Sequence, residues 1–284
     1  MEVKEKQSGH IQRYIRELSE KGEKSQNTLL SYERDVRQFS SWLATFPLDV
    51  TQAAYPDLKA YIAHLKKEGK SSSTLSRNVA SLRSFFGYLH RTGAVRTDPS
   101  EQLRSPKLFR QGPRAADEKI VQKLLGKPAD DSPKGLRDKT MVTLLACTGI
   151  RVSEICSLML SDVDQRKHQL VIREGNLRTV PYNKDCARLL SRYLKTAREK
   201  LLAGGDPGEQ HLFLNCSGKM MSRQGFWKVL KKYGRDAGVQ EELSPHMLRH
   251  SYAVRSLKEG DDLRVLQKKM GHSSVSTTQE YLYI

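Results

Sequence analysis

The chain has 284 residues, of which 37% are hydrophobic and 29% charged, and its formal net charge is +17. This length allows one or two domains with a sizeable core, and no apolar run approaches the ~20 residues that a bilayer-spanning helix needs. The charge surplus predicts a polyanionic partner, with a merely solvated basic surface as the alternative.

The N-terminal residues and the cysteines indicate the cellular compartment. The stretch MEVKEKQSGH has no apolar segment behind its charges, so we expect no signal peptide. Neither a C-x-x-C pair nor a metal-ligand spacing is formed by Cys147, Cys156, Cys186 and Cys216. They are predicted to be free thiols in a reducing cytoplasm, with a disulfide between one pair as the open alternative.

The N-terminal third is predicted to be a small helical bundle with one basic side. Residues 10–46 read as helix because TLLSYERDVRQFSSWL places apolar residues at helical spacing, and a second helix runs through PDLKAYIAHLKKEG to Gly69. A third helix starts in a serine cluster and stops at Gly93. Arg77 and Arg83 lie off its apolar face.

A linker separates this bundle from the rest of the chain. The stretch SPKLFRQGPRAADEK contains two prolines and a glycine and has no apolar periodicity. We therefore place a domain boundary near residue 110, dividing residues 1–108 from residues 109–284. Two domains joined by a basic, flexible segment are suited to closing around a rod such as duplex DNA.

The remainder is predicted to be mainly helical around one hairpin. Helices are expected at 117–125, through LRDKTMVTLLACTG, after the turn in TGIRVSEICSL, and at about 185–203, 222–237, 245–258 and 262–270. Between them HQLVIREGNLRTVPYN alternates in hydrophobicity, which is typical of a β-hairpin. Ser244 and Pro245 predict a helix start, and Gly271 predicts a helix end. The predicted fold class is mainly α with a small β-hairpin or sheet.

Five side chains are candidates for one anion-binding site: Arg151, His246, Arg249, His272 and Tyr281. Taken singly, each is better explained as a surface, loop or packing residue. Attack on a phosphodiester needs the whole set, because arginines clamp the equatorial oxygens, histidines donate hydrogen bonds and a phenol is the nucleophile. Ser276 and Gln279 fit a capping box, which predicts a short last helix carrying Tyr281.

A zinc site is the alternative for the two histidines of SPHMLRHSYA. His246 and His250 have the i, i+4 spacing of a zinc-binding helix. However, Met247 stands where the catalytic glutamate of that motif belongs, and Arg249 would place a cation beside the metal. We therefore reject zinc.

Three stretches together resemble the signatures of the tyrosine recombinases, also called the phage integrase family: TGIRVSEICSL, SPHMLRHSYA and MGHSSVSTTQEYL. The order of Arg, then His-x-x-Arg, then Gly-His, then a tyrosine nine residues later is complete. TLLSYERDVRQFSSWL and the serine-initiated helix are similar to the family's SAM-like core-binding domain. The resemblance covers essentially the whole chain and is closest to the short Xer-like members.

The resemblance implies a DNA strand-exchange reaction. Tyr281 would attack the scissile phosphate, form a 3′-phosphotyrosyl link and release a 5′-hydroxyl, and strands would exchange through a Holliday junction. The arginines of the candidate set would hold the non-bridging oxygens, the histidines would assist, and Glu154 would orient its neighbours. Neither ATP nor a metal is needed. Residues 1–108 would be the core-binding domain, with Arg77 and Arg83 as DNA contacts, and residues 109–284 the catalytic domain.

The hairpin departs from the family pattern. The family has a lysine there as general acid to the leaving oxygen, whereas Glu174 occupies the position in IREGNLRTVP. A carboxylate is ionised at neutral pH and repels phosphate. We hypothesise that Arg173, Arg178 or Lys184 covers the role; the rival is a slow or inactive enzyme.

The C-terminal end also departs from it, because only three residues follow Tyr281. Xer-like proteins continue with a helix that docks on a neighbouring subunit, so we expect either a truncated chain or another contact. Tyr283 is the fallback nucleophile.

The leading hypothesis is a site-specific DNA recombinase of the bacterial cytoplasm that acts on a specific duplex site. It would assemble as a dimer and a tetramer on DNA, and no membrane partner is expected. It would resolve or integrate a mobile element or resolve a DNA dimer. The alternatives are a type IB topoisomerase and a catalytically impaired DNA-binding protein.

Overall fold

The computed structural model describes residues 2–22, 24–46, 48–106, 115–239 and 243–283. The chain divides into two units, Met1–Arg110 and Gln111–Ile284. Within the described residues, no helix combines the length and the apolar character needed to cross a membrane.

The described part of the first unit forms four helices: α1 (Glu2–Glu20), α2 (Gln26–Leu43), α3 (Tyr55–Lys67) and α4 (Ser72–Arg91). The predicted single helix over residues 10–46 is wrong. Gly22 adopts a left-handed φ of 66° just after α1, and the Ser25 side chain accepts a hydrogen bond from Thr28 N to start α2. A left-handed glycine ends a helix and a serine N-cap begins one, so the chain breaks between them.

The core of the first unit lies between these helices. The predicted apolar face of α4 is buried, and Phe85 and Phe86 of that face are fully enclosed. Asp35 of α2 is also buried, at 1% exposure, and accepts hydrogen bonds from Arg77 Nη1 and Ser81 Oγ of α4. Arg77 therefore neutralises a carboxylate between two helices. Arg83 is exposed to solvent.

The described part of the second unit contains the remaining elements: α5 (Glu118–Leu125), α6 (Pro133–Thr148), α7 (Val152–Ser157), β1 (Val163–Asp164), β2 (Gln169–Ile172), β3 (Arg178–Pro181), α8 (Lys184–Thr196), α9 (Arg198–Leu202), α10 (Arg223–Asp236), α11 (Pro245–Lys258), α12 (Leu263–Met270) and α13 (Val275–Gln279). Short 3₁₀ turns lie at Leu160–Asp162 and Glu280–Tyr283. The predicted class, mainly helical with a small sheet, is confirmed.

The sheet is antiparallel in the order β1-β2-β3. The predicted hairpin is β2–β3, with Leu170 paired to Val180 and Gly175 at φ 75° in the connection. The short strand β1 was not predicted, because two residues carry no alternation. The helix predicted over 185–203 is two helices, since α8 ends at Thr196 and α9 starts at Arg198.

Two cores organise the second unit. The main one surrounds α6, whose side chains are buried almost all round and which packs on α8 and α11. A smaller cluster joins α11, α12 and the last 3₁₀ turn, and it contains Tyr252, Ala253, Leu266, Met270 and Tyr281. Through the second cluster, the last 3₁₀ turn packs against α11 and α12, where the predicted site residues lie.

Candidate active site

Three arginines converge on the C-terminal end of α12. The carbonyls of Lys269, Met270 and Gly271 each accept from a different arginine, at 3.0, 2.6 and 2.9 Å respectively. The donors, in the same order, are Arg178 Nε, Arg249 Nη2 and Arg151 Nη2. Carbonyls at a helix C-terminus lack intrahelical partners and carry partial negative charge, so they attract cations. Because the carbonyls are consecutive, the arginines that bind them are held side by side.

Glu154 holds two of these arginines in place. Its Oε1 accepts from Arg151 Nη1 at 3.0 Å and from Arg178 Nη1 at 2.9 Å. Its Oε2 accepts from the Arg151 backbone at 2.6 Å and from Arg178 Nη2 at 2.8 Å. Burial raises the pKa of this carboxyl, but the hydrogen bonds and charges of both arginines outweigh burial and lower the pKa overall. Glu154 therefore stays ionised while it is 2% exposed.

Two glycines allow this close approach. Gly149 ends α6 at φ 62°, and a Cβ there would lie 2.3 Å from Tyr252 Cδ1. Its carbonyl accepts from Arg249 Nη1, which joins α11 to the C-terminal end of α6. Gly271 ends α12 at φ 63°, as predicted, and a Cβ there would lie 2.7 Å from Arg178 Cζ. Neither position tolerates a side chain without displacing a neighbour of the site.

The histidines and the tyrosine lie beside the arginines. Ser244 caps α11 through Met247 N, as predicted, and places the His246 and His250 rings one turn apart, with centroids 6.4 Å apart. His250 Nδ1 lies 2.7 Å from the Tyr281 hydroxyl. The His272 ring stacks on the Tyr281 ring, with centroids 6.2 Å apart and an interplanar angle of 15°, and its Nδ1 lies 2.9 Å from Thr278 Oγ1.

The last helix differs from its prediction. Ser274, not Ser276, is the N-cap of α13, because the Ser274 hydroxyl accepts from Ser276 N at 3.2 Å. Tyr281 lies after this helix, in the 3₁₀ turn Glu280–Tyr283. The tighter turn packs Tyr281, at 6% exposure, against α11.

The site is cationic through its arginines and not through its histidines. Burial, followed by the charges of Arg249 and Arg151, lowers the pKa of His272 to about 4. The pKa of His246 is lowered by the same causes. Burial, followed by repulsion from Arg151, lowers the pKa of Arg249 to about 10, so its guanidinium keeps its charge at neutral pH. Burial raises the pKa of the Tyr281 phenol, while Arg249 and Arg151 oppose that rise.

Comparison with protein families identifies both units. Residues 115–284 match the phage integrase family, and residues 11–93 match the phage integrase N-terminal SAM-like domain. The chain belongs to the phage integrase family.

Individual relatives of this integrase-family chain are tyrosine recombinases. XerC of Roseiflexus castenholzii is 38% identical over 281 residues, covering 96% of this chain and 88% of the relative. XerD of Listeria monocytogenes is 37% identical over 264 residues, covering 92% and 89%. The Tn1549 transposon integrase in complex with circular intermediate DNA superposes with a TM-score of 0.73 over 96% of this chain and 94% of that chain, at 21% identity. The predicted resemblance to tyrosine recombinases is confirmed.

This member of the integrase family brings all five predicted site residues to one place, together with two residues that were not among the five. Arg178 was considered only as a substitute for the hairpin lysine, and it proves to be the second partner of Glu154. His250 was considered only as a zinc ligand, and it contacts the Tyr281 hydroxyl. A usable signal for His250 was its position one helical turn after His246, on the same face of α11.

The contacts of the hairpin of this integrase-family site distinguish the three residues that were hypothesised to replace the family's lysine. Glu174 accepts from Ser157 Oγ at 3.2 Å. Arg173 donates to Asp162 at 2.6 Å and is paired with that carboxylate. Lys184 opens α8 and lines a different cavity, next to Tyr182. Arg178 alone of the three hypothesised residues contacts the arginine–glutamate cluster.

A cavity of about 610 Å³ lies between the hairpin and α12 of this integrase-family domain. His272, Arg178, Lys268 and Lys269 are among its lining residues. The cavity adjoins the site from the hairpin side, and its lysine side chains bring positive charge to that edge.

Proposed function

We propose that this protein breaks and rejoins DNA as a site-specific tyrosine recombinase, with Tyr281 as the nucleophile. The observation that carries the proposal is the Tyr281 phenol, flanked by two histidines, beside the guanidinium groups of Arg151 and Arg249. A phenol is a poor nucleophile at neutral pH unless cations and a base assist it. Both kinds of group are within its surroundings.

The proposed cleavage step follows from these positions. The Tyr281 oxygen bonds to phosphorus while the bond from phosphorus to the 5′-oxygen breaks, which leaves a 3′-phosphotyrosyl link and a free 5′-hydroxyl. Arg151 and Arg249 stabilise the charge on the non-bridging oxygens. His246 and His272 supply hydrogen bonds to the same oxygens. Attack by the 5′-hydroxyl of a partner strand restores the phosphodiester, and two such exchanges form and resolve a Holliday junction.

The leaving 5′-oxygen needs a proton, and the proposal retains Arg173, Arg178 and Lys184 as the candidates. Arginine rarely gives up its proton. Arg178 would therefore act near the leaving group without supplying a proton, and its contact with Glu154, which also holds Arg151, supports its place in the site. Substituting each of the three in turn and measuring cleavage of a nicked duplex tests the assignment; unchanged rates for all three eliminate it.

We propose that residues 1–108 form the core-binding domain and residues 109–284 the catalytic domain. Arg83, exposed on α4, is the proposed DNA contact with a free guanidinium face, whereas Arg77 shares its charge with Asp35. The partner is a duplex with a specific site, bound by a dimer that pairs into a tetramer. The net charge of +17 and the DNA complex of the Tn1549 transposon integrase support DNA as the partner.

The proposed setting is the bacterial cytoplasm, where the protein resolves or integrates a mobile element or resolves a DNA dimer. The XerC and XerD names of its relatives support a recombination role. Binding is expected to weaken steeply with salt, because each phosphate neutralised by lysine or arginine releases counterions.

The test uses DNA that the protein itself selects. Genomic fragments retained by the full chain are sequenced, and the recovered site is rebuilt as a duplex nicked next to the scissile phosphate, which traps the covalent complex. Wild type is expected to form a 3′-phosphotyrosyl complex, Tyr281→Phe none, and the control Tyr283→Phe as much as wild type. Trapping by Tyr281→Phe would refute the nucleophile, and no trapping by wild type would identify a DNA-binding protein without activity.

A further inference from the structure

His250 touches the atom that attacks phosphorus in the proposed reaction. Its Nδ1 lies 2.7 Å from the Tyr281 hydroxyl oxygen, and the two ring centroids are 5.4 Å apart at 50°. The contact joins the middle of α11 to the last turn of the chain. The distance lies within the ordinary range for a hydrogen bond.

We infer that His250 Nδ1 accepts the proton of Tyr281 as the phenol attacks phosphorus. The inference rests on the proposed function, because it assigns a general base to the proposed nucleophile. As the oxygen–phosphorus bond forms, the phenol proton moves to His250, and the bond to the 5′-oxygen breaks. The leaving oxygen takes a separate proton from water or a neighbouring acid. In rejoining, the released phenolate takes its proton back from His250.

The geometry distinguishes His250 from the other two histidines. His272 stacks nearly parallel on the Tyr281 ring, and its Nδ1 is engaged by Thr278 Oγ1 at 2.9 Å. His246 lies one helical turn before His250 and stacks on the His250 ring, with ring centroids 6.4 Å apart. A general base must reach the proton it removes within about 2.6–3.2 Å. His250 meets that distance to the phenol.

The charges around His250 and Tyr281 are consistent with transfer of the phenol proton only when DNA is bound. Burial, followed by the charges of His246 and Arg249, lowers the pKa of His250 to about 4, so its ring is neutral and able to accept. Burial raises the pKa of Tyr281, so the phenol keeps its proton in the free protein. A phosphodiester held by the arginines adds an anion that offsets their charge. That anion raises the pKa of His250 and favours the transfer.

The kinetic test separates the two protons of the reaction. The recovered duplex is synthesised with sulfur in place of the 5′-bridging oxygen, because a thiolate leaves without being protonated. Single-turnover cleavage by His250→Gln is expected to fall by roughly 100-fold or more on both the oxygen and the sulfur duplex. His211→Gln, which alters a histidine paired with Glu209, is the matched control and is expected to cleave like wild type. Melting temperatures and DNA affinities of both variants check that they fold and bind.

A second measurement needs no DNA. The imidazole ¹⁵N spectrum of the free full chain is expected to show His250 neutral, with the proton on Nε2 and Nδ1 hydrogen-bonded. Tyr281→Phe removes the phenol, so it is expected to shift the Nδ1 signal, whereas Tyr233→Phe, in the main core, leaves it unchanged. A proton on Nδ1 at neutral pH would overturn the inference, because that nitrogen would then donate to the phenol.

The outcomes keep the inference and the proposed function apart. If wild type traps DNA and His250→Gln cleaves at the same rate, the inference fails and the function stands. If the defect of His250→Gln disappears with the sulfur duplex, His250 serves the leaving group and the inference fails. If wild type traps no DNA, both fail.

Discussion

Each unit of the protein contains a buried carboxylate held by arginine, and the two differ in what the arginine can still do. Asp35 is met by Arg77 and Ser81, and this contact joins two helices of the first unit. Glu154 is met by Arg151 and Arg178, and each of these also donates to the C-terminal end of α12. The first arrangement neutralises a charge for packing. The second fixes the orientation of guanidinium groups around a site.

The difference shows in the exposure of the arginines. Arg151 is 41% exposed although Glu154 is almost fully enclosed, so the carboxylate orients the guanidinium without covering it. Arg249 has no carboxylate of its own among the described residues and is held by the carbonyls of Gly149 and Met270. Preorganised cations of this kind stabilise developing negative charge without reorganising during the reaction.

The largest expected effect is that of neutralising Glu154. In Glu154→Gln, Arg151 and Arg178 lose their only carboxylate in the described structure, and a buried cation is left uncompensated. The free energy of unfolding is expected to fall by about 3–5 kcal/mol in urea denaturation. Asp35→Asn is the matched variant; because Arg77 is 36% exposed and water can solvate it, the loss there is expected to be about 1–3 kcal/mol. An equal or larger loss for Asp35→Asn would remove the distinction drawn between the two carboxylates.

Acid is expected to act on the second unit through its neutral histidines. The pKa values of His250 and His272 are about 4 in the folded chain and near 6.5 when unfolded, so the unfolded chain binds more protons between these values. Stability should therefore decrease as the pH falls from 6.5 towards about 4. In His272→Asn this dependence should weaken, as seen in melting temperatures measured across that range. A variant with an unchanged slope would show that the histidine is not held neutral.

The smallest effect compares one glycine from each unit. Gly271 and Gly22 have φ values of 63° and 66°, so alanine strains the backbone alike at both, by about 1–2 kcal/mol. At Gly22 nothing lies within 4 Å of the added Cβ, whereas at Gly271 the Cβ would lie 2.7 Å from Arg178 Cζ. Gly271→Ala should thus cost more stability than Gly22→Ala and should also slow cleavage. Equal stability losses would mean that Arg178 moves aside freely.

Most helices and the hairpin could be predicted from the sequence because their causes are local. Ser244 with Pro245 starts α11, Gly271 ends α12, and the alternation around Gly175 forms a hairpin, all as predicted. The break between α1 and α2, which was not predicted, also has a physical cause. The helical spacing of TLLSYERDVRQFSSWL was extended back over residues 19–28, which contain no apolar residue. The prediction therefore missed the left-handed turn at Gly22 that divides α1 from α2.

The amino-acid sequence by itself determined the family and the identities of the five candidate residues, because the residue types and their spacing follow a chemistry that few other arrangements serve. Only the tertiary structure decided which groups touch. The carbonyls that hold Arg151 and Arg249 lie at the end of α12, and backbone acceptors leave no mark in a sequence. The contact between His250 and Tyr281 likewise exists only because the last turn packs back on α11. Burial in that packing lowers the pKa of His250 and raises the pKa of Tyr281, and neither shift can be read from the residue types.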